Sequence, residues 1–128
     1  MFEGIIAMAK ENLKNGIPVG LGTDTACPYV TQYDMWRELC YYAKFCGVSN
    51  AFALYSATLL NAELAGIGGE TGSIKRGKRA EMIVVRKNPL EDLRALRTPE
   101  MVIMGERLIR APRVKKIPEV EAELDKWL

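Results

Sequence analysis

Asp24 stands directly after a short apolar run at 17–21, between Thr23 and Thr25. A carboxylate at the C-terminal end of a buried strand is where α/β enzymes place chemistry, and it can bind a metal, hold a water or take up a proton. The competing reading is an aspartate that caps its own loop. Cys27, three residues on, is a soft metal ligand if partners exist and otherwise a small apolar residue. Asp34 and Glu38 are four apart and would share one face of a helix, with Arg37 adjacent. Such a pair can hold a metal, but it can equally form a solvated ion-pair face.

Two glycine patterns imitate phosphate-binding loops. Gly72-x4-Gly77-Lys78 has the spacing of a Walker loop, but Arg79 stands where Ser or Thr must hold Mg²⁺, and a strand follows instead of a helix. Gly20-x-Gly22 starts a dinucleotide fingerprint whose third glycine is missing. Both read better as ordinary loops.

The composition narrows the chemistry further. There is no histidine among 128 residues, which removes Ser-His-Asp triads, Cys-His pairs and His-ligated zinc sites from this chain. Eighteen basic against sixteen acidic side chains leave +2, so neither nucleic acid nor an anionic membrane is expected as a partner. Cys27, Cys40 and Cys46 form no disulfide framework, and the expected setting is reducing and cytoplasmic. No apolar run approaches the about 18 residues of a membrane span, and the N-terminus lacks the basic start of a signal peptide.

These residues need elements to position them. Ile5, Ile6, Ala9 and Leu13 recur at helical spacing, predicting a helix over 2–15 that ends at Asn15-Gly16. The run 17–21 reads as a buried strand. Thr31, with Asp34 three residues on, reads as the N-cap of an apolar helix over 32–46, stopped by Gly47. Ser49 opens a helix over 50–57, and a separate short helix covers 59–65. After Gly66 come a glycine-rich basic loop, a strand at 82–85, a turn at Asn88-Pro89 and one or two helical turns over 90–96. A hairpin follows over 101–110 with Gly105-Glu106 at its turn, then a final helix from Pro118. The fold class is therefore α/β in two textures. Residues 1–65 form a helix–strand–helix segment, and 66–128 hold short strands plus a C-terminal helix. One domain's length forbids a complete (β/α)8 barrel, which needs about 250 residues.

The order of these pieces resembles the end of an amidohydrolase superfamily protein, in the metal-dependent branch near imidazolonepropionase and Xaa-Pro or Xaa-Arg dipeptidases. The matching residues are Gly20-Leu21-Gly22-Thr23-Asp24, Trp36-Arg37-Glu38-Leu39, Ala57-Thr58-x-x-Asn61-Ala62 and Gly66, then Gly72-Ser73-Ile74-x-x-Gly77-Lys78-x-Ala80, the strand at 82–85, and Asn88-Pro89-Leu90. The resemblance covers about residues 1–112. It implies that 1–65 is the terminal part of a TIM barrel, with its last strand and helices. It also implies that 66–112 is part of a small β-sandwich, rearranged here or completed by self-association.

In that family one or two divalent, zinc-like metals activate a water, and the aspartate after the last strand binds metal or water and relays the proton to the leaving amine. The resemblance thus makes Asp24 the catalytic and metal-ligand position. The family's other ligands, histidines and often a carboxylated lysine, come from strands this chain lacks. Gln32 and Tyr55 stand where close relatives often carry histidine, and Glu81 where an aspartate is usual. Three functions follow as expectations. The first is a C-terminal amidohydrolase fragment that holds no metal and does not catalyse alone. The second is a self-associating module, a homodimer or larger, with the helices over 32–46 and 50–65 as interfaces. The third is a small hydrolase of amides or peptides using Asp24, Cys27, Asp34 and Glu38.

Overall fold

The computed structural model describes residues 2–128. Met1, the first residue of the expected 1–65 segment, lies outside the described residues. Helix α1 spans Phe2–Lys14 and closes through Gly16, whose N–H donates to the Leu13 carbonyl at 3.1 Å. Helix α2 spans Met35–Cys46 and ends on Gly47, whose N–H reaches Ala43 O. It starts three residues later than the sequence predicts. Asp34, not Thr31, occupies the N-cap position, and its carboxylate makes no capping bond. That carboxylate is drawn sideways instead, accepting from Thr31 Oγ1 at 2.6 Å and from Arg37 Nε at 3.2 Å.

Ser49 does cap the next helix, its Oγ accepting from Phe52 N–H at 3.1 Å. Helix α3 (Asn50–Tyr55) runs without a break into a π-helical turn at Ser56–Leu60 and then α4 (Asn61–Leu64). The two helices expected at 50–57 and 59–65 are therefore one rod with a wide turn inside it. No residue in this stretch has a backbone that would stop a helix, and π-turns often sit near functional positions.

The expected strand at 17–21 does not form. Strand backbone groups need neighbours, and among the described residues the only sheet is built from 81–110: β1 (Glu81–Val84), β2 (Met101–Met104) and β3 (Arg107–Arg110), antiparallel in that order. In register, Glu81 faces Met104 and Met104 faces Arg107. Gly105 at φ 59° makes the hairpin turn. Between β1 and β2, Asn88 makes an Asx turn, its Oδ1 accepting from Leu90 N–H at 3.0 Å. A 3-10 helix at Leu93–Arg97 then packs on α2. The observed architecture is thus helices beside a small antiparallel sheet, an α/β mixture.

The core is modest. Leu39, Tyr42, Ala53 and Leu93 form its centre, with Leu13, Val19, Leu21 and Leu96 among the half-buried side chains against it. Much apolar surface stays open, including Ile83, Met104, Leu108 and Ile109 on the sheet. The Tyr42 hydroxyl is pushed up by burial and eased by Ser56 beside it, yet neither hydroxyl meets hydrogen-bond geometry.

Helix α5 (Pro118–Asp125) is held to α2 by charge. Arg37, 1% exposed, lies 3.2 Å from Asp34, 3.1 Å from Glu121 and 2.5 Å from Asp125. Arg97 adds bonds to Glu121 at 2.9 Å and Asp125 at 3.0 Å. Both guanidiniums lie over the Trp36 ring, 4.5 and 5.1 Å from its centre. Tyr41 Oη donates to Leu124 O and Lys44 Nζ to Trp127 O, which fixes the chain end. Burial alone would lower the Arg37 pKa, but the bonds to Asp125 and Glu121 hold it above its ordinary value.

Removing one partner of a buried charge network strands the others. Arg37→Ala is expected to cost about 3–5 kcal/mol in urea unfolding. The Asp125 carboxyl is held below its usual range: partial burial raises it, but bonds from Arg37 and Arg97 outweigh that. A depressed acid contributes stability above its unfolded pKa and loses it as pH falls through the folded one. The stability gap between wild type and Asp125→Asn should therefore close in acid, below the ordinary aspartate range. A gap constant down to the lowest pH would contradict this linkage.

Candidate functional site

The segment 17–21 still reaches the site, but as extended chain tied by a side chain. Asn61 accepts from Leu21 N–H at 2.9 Å and donates to Leu21 O at 2.8 Å. Its amide thus supplies the donor and acceptor that a neighbouring strand would supply. Gly20 makes this approach possible, since a Cβ there would lie 2.7 Å from Asn61 Oδ1. Of the two glycines in Gly20-x-Gly22, Gly20 therefore serves packing.

Asp24 follows at the exposed end of this segment. It takes φ 53°, and Ala26 and Tyr29 in the same loop take φ 96° and 63°. Aspartate tolerates the left-handed region; alanine and tyrosine do so at a cost, and such strain concentrates at functional loops. Cys27 Sγ lies 3.4 Å from Asp24 Oδ2 as donor. That hydrogen bond, and then the carboxylate's charge, push the Cys27 thiol up, so it is held as a thiol and is a poorer nucleophile and metal ligand. Thr23 and Thr25 hydroxyls pair at 2.9 Å.

The other two candidate acids are placed elsewhere. Asp34 is buried and committed to Thr31 and Arg37. Glu38 is half-buried and lines a separate cavity of about 330 Å³ with Ile5, Met8, Val19 and Tyr41, and burial pushes its carboxyl up. The helix-face pair becomes one structural acid and one acid in an apolar recess. Cys40 and Cys46 are half-buried free thiols, Cys40 being pushed up to about 11 chiefly by burial.

The Walker-like loop is also resolved. Lys78 Nζ donates inward to Gly68 O, to Ser73 Oγ at 2.7 Å and to Thr71 O at 3.1 Å. Gly72, at φ 82°, lets the loop lie against the π-turn, since a Cβ would sit 2.6 Å from the Ala62 Cβ. The lysine that would bind phosphate staples its own loop.

A metal centre does not fit the donors around Asp24. A catalytic zinc takes three protein ligands plus water; here one carboxylate and one thiol stand together, and the sequence has no histidine. Among the described residues no three Cys, Asp or Glu gather into a metal-holding group. Sequence reasoning missed Asn61 as the residue that positions the site, because a tie across 40 positions has no local signature.

No helix among the described residues is long and apolar enough to cross a membrane. The chain matches the Amidohydrolase family over residues 3–107. It is 32% identical over 108 residues to ochratoxinase of Aspergillus niger, covering 80% of this chain and 21% of that protein. A candidate prolidase from Bifidobacterium longum superposes with a TM-score of 0.91 at 39% identity, covering 95% of this chain and 30% of that one. A Xaa-Pro dipeptidase, solved with methionine in its active site, gives a TM-score of 0.74 at 31% identity, over 83% of this chain and 25% of that one. The chain therefore spans less than a third of each of these relatives, and on the family match and these likenesses it belongs to the amidohydrolase family, beside its prolidase-like and Xaa-Pro dipeptidase-like members.

Proposed function

We propose that this chain is the C-terminal part of a metal-dependent amidohydrolase, carrying the aspartate of the last barrel strand and a share of the small sheet beside the barrel. The reaction class is hydrolysis of a C–N bond in a small amide or peptide, as the name of the Xaa-Pro dipeptidase relative suggests. One observation carries the reading: within a family match over 3–107, Asp24 sits exposed at the end of the tied segment, with its side chain bonded among the described residues only to Cys27. The carboxylate is open to take a proton from an attacking water and return it to the departing amine. Asp34, the nearby acid of the same sequence region, is locked to Arg37 and cannot serve.

The donors in these residues do not hold a metal by themselves, so the function needs ligands from outside them. The free cysteines accord with a reducing, cytoplasmic setting. With zinc or manganese supplied, the 128-residue chain is expected to show no hydrolysis of an Xaa-Pro dipeptide above blank. Turnover by the purified chain that disappears in Asp24→Ala would overturn its incompetence alone. Such a result would instead favour a small hydrolase built around Asp24.

A second reading, self-association, has its own support. Among the described residues the outer edges of β1 and β3 have no strand beside them, and Met104, Leu108 and Ile109 are about half exposed. Open edges and apolar patches favour pairing between copies. Light scattering is expected to give a dimer or larger species. A monomer at every concentration tested would remove this reading.

A further inference from the structure

We propose that the cleft where the three strand ends meet the 3-10 helix is a binding site for a phosphoryl dianion, free phosphate or a phosphate monoester. The cleft encloses about 580 Å³ and stands apart from Asp24. Its cations are Arg86, Lys87, Arg94, Arg97 and Arg113, against Asp92 and Glu100. A near-neutral chain thus gathers a local excess of positive charge. Concave walls with an excess of one sign of charge strengthen the field on a small anion.

How each cation is engaged matters more than the count. Arg97 is committed to Glu121 and Asp125. Arg94 uses its Nε, 3.0 and 3.2 Å from the two Asp92 oxygens. Arg86 likewise uses its Nε, 2.5 Å from Glu100 Oε1. In both, the acid steers the guanidinium while the two terminal nitrogens have no bond among the described residues. Those terminal N–H groups form the fork that matches phosphate oxygens. Lys87 and Arg113 make no hydrogen bond or ion pair among the described residues.

The frame beneath is rigid. Glu100 N–H donates to Val84 O at 2.7 Å, and Glu100 O accepts from Ala111 N–H at 2.8 Å, which joins the exits of β1 and β3. Ala111 is held at φ 45°, a conformation alanine rarely adopts, and Pro99 and Pro112 stiffen the two sides of the cleft. Fixed walls hold in place the segments that carry the arginines. They also offer an apolar surface to the organic part of an ester.

The test is titration of the full chain with inorganic phosphate and with phenyl phosphate, by calorimetry or amide NMR shifts, at constant ionic strength against chloride. Saturable binding is expected, weakened at least about tenfold in Arg94→Ala and in Arg113→Ala and unchanged in Lys10→Ala on α1. Both mutated arginines are exposed, and circular dichroism checks that the fold is kept. Binding of both probes assigns recognition to the phosphoryl group alone. Binding of phenyl phosphate only adds the ester body on the proline walls. No saturable binding of either probe overturns the site, as does equal weakening in Lys10→Ala, which would mean that only net charge is read.

Discussion

Arg37 is a cation with almost no access to water, and a buried guanidinium persists only where acids replace its hydration. Asp34 comes from the turn before α2, and Glu121 and Asp125 from α5. The network therefore joins the first third of the chain to its last residues across about 88 positions of sequence. Trp36, whose ring lies under both the Arg37 and Arg97 guanidiniums, adds cation–π contacts to the same joint. The satisfaction is incomplete: among the described residues Glu121 Oε1 has no hydrogen-bond partner, and Arg37 Nη2 sits at ion-pair distance from Glu121 Oε2 without hydrogen-bond alignment. A network of this kind secures where α5 docks more than it adds net stability.

The other constraint is backbone pairing. The segment 17–21 has the composition of a buried strand but, among the described residues, no strand on either side. The chain meets this by lending it one side chain, Asn61, in place of a neighbour. That substitute satisfies a single residue, Leu21. It nevertheless keeps Asp24 at the end of an ordered segment instead of a loose one. The same shortage of neighbours explains the open faces of β1–β3 and a small buried core. It agrees with a chain that matches less than a third of each of its relatives' length.

Within this frame the acids divide by environment. Asp24 is exposed and lightly engaged, Asp34 is spent on structure, and Glu38 is pressed into an apolar recess. Both Asp34 oxygens are committed, whereas Asp24 stays exposed and Glu38 faces a cavity. Basic residues divide in the same way: Lys78 and Arg37 are consumed by internal bonds, while Arg94 and Arg86 are merely oriented. Residue type alone does not reveal these differences, because each depends on what the fold places beside the group.

The sequence by itself determined the local features. Helix ends at Gly16 and Gly47, the Ser49 cap, the Asx turn at Asn88, the hairpin at Gly105 and the start of α5 at Pro118 depend on neighbours within about four residues, so their signals are local. The ordered motifs around Asp24, Asn61 and Gly77-Lys78 also carried the family. Only the tertiary structure decided the rest. It left 17–21 without a ladder, because strand formation depends on partners that the segment does not encode. It merged 50–64 into one rod and turned Asp34 from the expected capping-box partner of Thr31 into an ion-pair member, because Arg37 offered a stronger charge than a backbone N–H. It also gathered the arginines of 86–113 around one cleft, which a net charge of +2 conceals, because summed charge carries no information about place.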